Sequence, residues 1–359
     1  NVPLGDEREG DFAVGSTARP YRQLISWDGR YNDGYAIDVR TGESRLVKER
    51  LRGFRAGAMS PEGRYIGWWD EEATSWMAVP VEGGEPVNLS ENIPYPTWDG
   101  LDDHPQGLPP EAFPVWTEGD REVLIADRYD LWVVDPTSGE ARSLTEETGR
   151  EQGIRFRYTS EDPDRRAAPR DEDIHLLAFN RATKASGVYR DRIEGTAPPR
   201  RVVYGDRAYS GLQKAEDADV WVHRWSTFQE YPELYVTDAS LQNSERISET
   251  NPQQDEYSWG TAELVEWTST DGIPLQGILY KPEGFDPSLE YPMMVYFYER
   301  LSDTFHRHVT PSPGGSSVNL AFYTSRGYVV FVPDIPYKIG WPGESAMNAV
   351  VPGLSLIHI

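Results

Sequence analysis

Along the first two thirds of the chain, apolar and polar positions alternate in short runs separated by turn signals, and helical periodicity is hard to find before about residue 315. Residues 34–48 show the grammar. Tyr35, Ile37 and Val39 alternate with polar neighbours, residues 38–42 supply a turn ending on Gly42, and residues 45–48 begin a second run. Alternation of period two on both sides of a turn predicts a β-hairpin. The pattern returns at residues 75–89 around Glu82-Gly83-Gly84-Glu85, and at residues 130–144 around Asp135-Pro136-Thr137-Ser138-Gly139-Glu140. A further strand precedes each later hairpin, at residues 65–69 and 123–126, introduced by turns at Gly63 and Gly119. Weaker copies follow at residues 153–158, 173–180 and 187–190, then at 208–214, 220–225, 233–237 and 245–247.

A degenerate unit of roughly 40 to 55 residues with four short strands predicts a β-propeller blade, because one such sheet cannot cover both of its faces and must stack on its neighbours. About five blades are visible over residues 1–261, the first incomplete. The charged run at residues 160–173 reads as a solvated connection.

From residue 262 the pattern changes. Residues 263–269 and 275–280 flank Thr270-Asp271-Gly272 and predict another hairpin. Residues 293–298, apolar on both faces, and residues 328–332 predict buried strands, and residues 318–325 between them predict a short amphipathic helix ended by Gly327. A buried strand, a helix and a second buried strand predict a parallel sheet of an α/β domain, left unfinished within residues 262–359. The fold class expected is therefore an incomplete all-β propeller followed by the first part of an α/β domain.

Composition narrows the chemistry. A chain of 359 residues is long enough for two or three domains. It has no cysteine, which excludes disulfides, thiolate metal sites and a cysteine nucleophile and leaves the compartment open. A formal charge of −24, from 35 basic and 59 acidic residues, argues against nucleic acid and against an anionic membrane surface as partners. The apolar run at residues 328–332 is far shorter than the roughly 20 residues of a membrane-spanning helix, so a soluble protein is expected. The chain starts at Asn1 with no basic-then-apolar leader, which reads as a processed start or a fragment. The address is not readable; a periplasmic or secreted protein would fit.

Thr270-Asp271-Gly272, Gly277-Ile278-Leu279-Tyr280-Lys281-Pro282, Tyr291-Pro292, and then residues 323–333 with Ser325-Arg326-Gly327-Tyr328, followed by Asp334, occur in that order. This series resembles the start of the catalytic domain of prolyl oligopeptidase family serine peptidases, over roughly residues 262–353. Upstream, Phe228-Gln229-Glu230-Tyr231-Pro232-Glu233-Leu234-Tyr235 is similar to the last propeller blade of the dipeptidyl-peptidase-like branch. The resemblance implies an α/β-hydrolase domain that cleaves peptide bonds of short peptides, with the propeller limiting access, and it implies no cofactor and no metal. A homo-oligomer is compatible with it. In that family the serine, aspartate and histidine follow downstream of the point where this sequence stops. The nucleophile elbow is Gly-x-Ser-x-Gly, a turn too tight for larger flanking residues. Gly343-Glu344-Ser345-Ala346-Met347 lacks the second glycine, and Ser258-Trp259-Gly260 has Glu256 in place of the first. No triad residue can be transferred. The family also places a tyrosine at the end of the strand matching residues 293–298, its hydroxyl donating to the oxyanion. Tyr298 matches, with Tyr296 as the fallback, although Glu299-Arg300 stands where small residues are usual.

Other polar candidates carry blander readings. His306 and His308 could hold a metal from one face of a strand, but no third ligand has a recognisable spacing, and a surface pair is the expectation. His104 and His223 read as loop and propeller residues. Pro313-Gly314-Gly315-Ser316-Ser317 lacks the Walker lysine and reads as a loop and helix cap. Asp70-Glu71-Glu72 could anchor a substrate amino terminus, but nothing selects it among 59 acidic residues. Residues 353–359 have nothing to pair with and read as a truncated frame, the last five of them as non-native. Two other functions compete: a non-catalytic propeller binding module with a degenerate hydrolase extension, and a propeller glycosidase, which needs two carboxylates about 5 to 9.5 Å apart.

Overall fold

The computed structural model describes residues 10–52, 59–312 and 317–358. Among them lie six sheets and few helices. The first sheet is β1 (Phe12–Thr17), β2 (Tyr31–Asp38) and β3 (Ser44–Arg52), and the second is β4 (Tyr65–Asp70), β5 (Ser75–Pro80) and β6 (Val87–Asn88). The third is β7 (Val115–Trp116), β8 (Val123–Ala126), β9 (Leu131–Val134) and β10 (Ala141–Ser143). A helical turn α1 (Thr148–Gln152) leads to the fourth, β11 (Ile154–Thr159), β12 (Ile174–Asn180), β13 (Ser186–Asp191) and β14 (Arg200–Gly205). The fifth is β15 (Ala208–Lys214), β16 (Trp221–Ser226), β17 (Leu234–Thr237) and β18 (Glu245–Arg246). In each of these five, strands follow one another in chain order, and the hairpins read from the sequence are present. This run of small sheets is the architecture of a propeller-like domain. Among the described residues, two of the five sheets have three strands.

The same turn closes several of the hairpins. Asp38, Asp70, Asp135 and Asn180 each accept hydrogen bonds from the backbone N–H groups two and three residues on, at 2.7–3.2 Å. The fourth residue on then adopts a left-handed conformation. Glycine fills that place at Gly42 and Gly139 (φ 77° and 73°), whereas Thr74 and Lys184 adopt it despite their side chains (φ 49° and 65°).

By contacts the chain divides into two compact units, one of residues 1–102, 106–176 and 190–200, the other of residues 103–105, 177–189 and 201–359. In the first unit, Ala36 and Leu51 of the first sheet pack with Ile66, Trp68 and Val79 of the second. Trp76 and Ala78 of the second in turn pack with Trp116, Val123, Ile125 and Trp132 of the third. The stacking that a blade needs is thus visible in its core. In the second unit the fifth sheet packs Leu212 and Trp221 against Val188, beside Val203.

The sixth sheet, within the second unit, is built differently. Its order is β19 (Thr261–Thr268), β20 (Pro274–Lys281), β22 (Val329–Pro333) and β21 (Met293–Val295). The expected parallel pair is there, Met293 opposite Val329 and Val295 opposite Phe331, but β19, β20 and β22 are antiparallel, so the sheet is mixed. Val329 and Phe331 face one core with Trp267, Leu275 and Ala349; Val330 and Val332 face the other with Ile278, Tyr280 and Ala321. Helices α3 (Pro342–His358) and α2 (Leu320–Thr324) bring Ala349 and Ala321 to those opposite faces. The buried run read at residues 293–298 is corrected: the strand ends at Val295, its residues are half-buried, and Phe297 and Tyr298 are exposed.

Candidate active site

Two parallel strands side by side deliver their carboxyl ends, and the loops that follow them, to the same place; in open α/β sheets that is where ligands bind. Here the strands are β21 and β22. Beyond β21 the pairing extends one residue, Tyr296 N–H donating to Phe331 C=O at 3.0 Å, and the Tyr296 ring packs beside the core of Ile278 and Val330. The chain then turns outward. Tyr298 is 66 % exposed.

The loop after Tyr298 is fixed to the loop after β22. Ile335 N–H donates to Glu299 C=O at 2.9 Å, and the Asp334 carboxylate accepts both the N–H of Ser302, at 2.8 Å, and its hydroxyl. Asp334 itself is tied to β20 through its N–H, which donates to Gln276 C=O at 2.9 Å. Burial pushes its carboxyl pKa up, against the pull of Ser302 and of the Lys184 charge. Around these lie further ions. Lys184 Nζ donates to Asp303 Oδ1 at 2.9 Å, Arg181 stands 3.6 Å from the other oxygen, and His104 Nε2 is 3.0 Å from Glu299 Oε1. Asp103 accepts the N–H of Tyr337 at 2.7 Å, and burial, with Asp103, Glu299 and Tyr298 nearby, raises the Tyr337 hydroxyl pKa. Sequence reasoning named Tyr298, Tyr296, His104 and Asp334. It missed Ser302, Lys184 and Asp303, whose one sequence signal is a lysine at a turn position that glycine fills in two sister turns.

The remaining candidates are not brought together. His308 stacks on Trp259 with ring centroids 5.0 Å apart and meets Gln254 Oε1 through Nε2 at 2.9 Å. His306 turns to Phe305, its Nε2 buried without a partner. Burial lowers the pKa of both. Among the described residues no group of three or more His, Cys, Asp or Glu could hold a metal ion. His223 lies between Tyr209 and Tyr235 and bonds Ser244 Oγ at 2.8 Å. Asp70 pairs with Lys48 at 2.8 Å; burial alone would raise its pKa, but Lys48 and two turn N–H groups hold it down. Glu71 faces Arg52 at 3.8 Å, and burial raises its pKa.

The two near-misses to an elbow serve as structure. Ser345 lies in the first turns of α3, where its hydroxyl accepts the Lys338 N–H and donates to Trp341 C=O, both at 2.9 Å. Ser258 is exposed, and Trp259 beside it donates to Phe228 C=O at 2.7 Å. Of the glycine-rich segment, Pro313, Gly314, Gly315 and Ser316 lie outside the described residues. Residues 353–358, read as having nothing to pair with, continue α3, with Gly353 against Phe331 and Trp267. No helix among the described residues is long and apolar enough to cross a membrane.

No family model matches the chain. Solved structures do. A candidate dipeptidyl aminopeptidase IV from Bacteroides ovatus matches with a TM-score of 0.56 at 16% identity, over 85% of this chain and 46% of that one. Dipeptidyl peptidase 4 of Porphyromonas gingivalis matches with a TM-score of 0.55 at 12% identity, over 85% and 42%. A post-proline cleaving enzyme from Rickettsia typhi matches with a TM-score of 0.52 at 11% identity, over 92% and 49%. The chain spans less than half the length of each. At such identities the likeness shows a shared fold, and the proteins that share it are of the prolyl oligopeptidase family, as the sequence resemblance implied.

Proposed function

We propose that this chain is the propeller and the first strands of the α/β-hydrolase domain of a prolyl oligopeptidase family serine peptidase acting on short peptides, with the boundary near residue 262. The observation that carries this reading is the position of Tyr298: an exposed phenol just past β21, at the carboxyl end of the parallel pair, in a loop tied down at Glu299 and Ser302. A phenol held there can donate to an oxyanion that forms over the sheet, and a fixed donor costs no reorganisation when the charge develops. Tyr298 is the oxyanion donor in this reading. The nucleophile, acid and base come from sequence outside these 359 residues, none of which form Gly-x-Ser-x-Gly.

A fluorophosphonate probe tests it. The full-length gene product should label once, at a serine in Gly-x-Ser-x-Gly, and hydrolyse short peptides, while the 359-residue chain alone should not label. Saturating labelling of the 359-residue chain would refute the assignment of the nucleophile. A full-length product that neither labels nor hydrolyses peptides would favour the binding module instead.

A further inference from the structure

Lys184 occupies a left-handed place that favours glycine. In the turns that follow Asp38 and Asp135, the residue four positions on is Gly42 and Gly139; after Asp70 it is Thr74, with φ 49°, and after Asn180 it is Lys184, with φ 65°. A left-handed lysine gains nothing from the turn itself. Nor does it act as a surface lysine: its side chain is 3 % exposed, in a position where an ammonium needs a partner. The partner is Asp303 at 2.9 Å, a residue 119 positions away in the loop that follows Tyr298. Asp303 adjoins Ser302, whose N–H and hydroxyl go to Asp334, and the Lys184 charge acts on Asp334 as well. Arg181, from the same turn, shares Asp303 at 3.6 Å, and Gln276 donates to Ala182 C=O at 2.8 Å, which seats the turn on β20.

We propose that Lys184 is a positioning residue for Tyr298, its buried ammonium holding the loop of residues 299–304 in place through Asp303. The proposal rests on the reading of Tyr298 as oxyanion donor. Beside the hydrogen bonds to Asp334 and the His104–Glu299 contact, the ion pair supplies a buried tether from outside the sixth sheet that stops the loop from tilting about its attachment at Ser302. A tilt of the loop moves the Tyr298 phenol relative to the sheet, and small misplacements of a transition-state donor are felt in kcat more than in KM.

The test uses the full-length protein and four variants. Lys184→Met keeps the aliphatic stem and removes the charge; Lys184→Gly removes the charge but relieves the backbone; Lys184→Arg keeps the charge; Tyr298→Phe removes the phenol oxygen. The proposal expects kcat for a short peptide to fall about 10- to 100-fold in both K184M and K184G, with KM within about twofold, and to return most of the way in K184R. K184G is the arm that separates positioning from stability, since its backbone is the better suited to the turn. Amide exchange of residues 299–304 should speed up in K184M and K184G and not in K184R. A parental kcat in K184M beside a slow Y298F would overturn the proposal alone, as would unchanged exchange of that loop. A parental kcat in Y298F, or an inactive parent, would overturn the oxyanion reading and the proposal with it.

Discussion

The sheet of β7–β10 and the sheet of β19–β22 both bury their central strands, yet they use their polar groups differently. In the first, strands follow one another through short turns; of its buried carboxylates, Asp120 reaches back to Ser60, Glu62 and Arg64, while Asp127 and Asp130 bond within about twenty residues along the chain. Asp127 accepts from Tyr129 N–H, Asp130 N–H and Trp132 Nε1, and Asp130 accepts from the Thr145 hydroxyl and from Gly149 and Arg150 N–H. In the second, a crossover places β21 beside β22, and the carboxylates of that region reach far along the chain, Asp334 to Ser302 and Asp303 to Lys184. Antiparallel neighbours can be joined by short turns, and Asp127 and Asp130 bond the backbone near those turns. The parallel pair leaves two strand ends open at one place, with a phenol exposed just past β21 and a network that ties the two loops together.

The largest expected effect comes from backbone packing. A Cβ at Gly187 of β13 would lie 2.0 Å from Val203 C=O, whereas at Gly277 of β20 it would meet the Trp267 ring and Val332 C=O at 2.9 Å. Gly187→Ala should therefore cost about 3 kcal/mol or more, and Gly277→Ala about 1–3 kcal/mol, measured by denaturant unfolding. The reverse order would break the contrast between a blade whose backbone stands 2.0 Å from the added carbon and a sheet whose nearest atoms stand at 2.9 Å.

Asp130→Ala and Asp334→Ala each leave buried donors unpaired, at about 1–3 kcal/mol. The contrast predicts different reach. Asp130→Ala should lower the unfolding midpoint, and Asp334→Ala should chiefly speed amide exchange in residues 299–304. A uniform rise in exchange in both would show that the Asp334 network is no more local to the site than its counterpart.

Acidity offers a third handle, within the propeller-like part. Burial pushes the Asp191 carboxyl up to about 7, its Oδ2 having no hydrogen-bond partner and Glu146 and Asp173 adding to the rise. A folded-state pKa above the unfolded one means stability that is full below the unfolded value near 3.8 and is lost as pH rises through about 7. Asp191→Asn should flatten that fall, on the order of 2 kcal/mol, in melts taken from pH 4 to 8. An unchanged pH profile would show that the carboxyl finds water or a cation. The smallest effect belongs to the Lys48–Asp70 pair, partly open to solvent: Lys48→Ala should shift stability by about 0–1 kcal/mol, less at high salt.

The difference between the two regions also governs how much the sequence discloses. Residues 123–126 and 130–144 announce their strands because alternation and turn chemistry are local. β7 and β14 escaped, one only two residues long and the other opening on Arg200 and Arg201, a polar start that no alternation marks. Tyr298 is proposed from strand and motif, but the contacts of the loop that follows it are not legible. Lys184 and Asp303, or His104 and Glu299, meet only once the fold brings together segments more than a hundred residues apart, and no spacing rule encodes that. Lys184 left one trace, a lysine where two of three sister turns carry glycine. The strand of residues 293–298 was overextended because an apolar aromatic run reads alike whether it is buried or exposed beside a site.

In the full-length protein, Tyr298→Phe should leave folding intact, since an exposed ring loses only its oxygen, and should lower kcat by roughly 10²–10³ with little change in KM. A folded variant with parental kcat would contradict the placing of the oxyanion site at the carboxyl ends of β21 and β22.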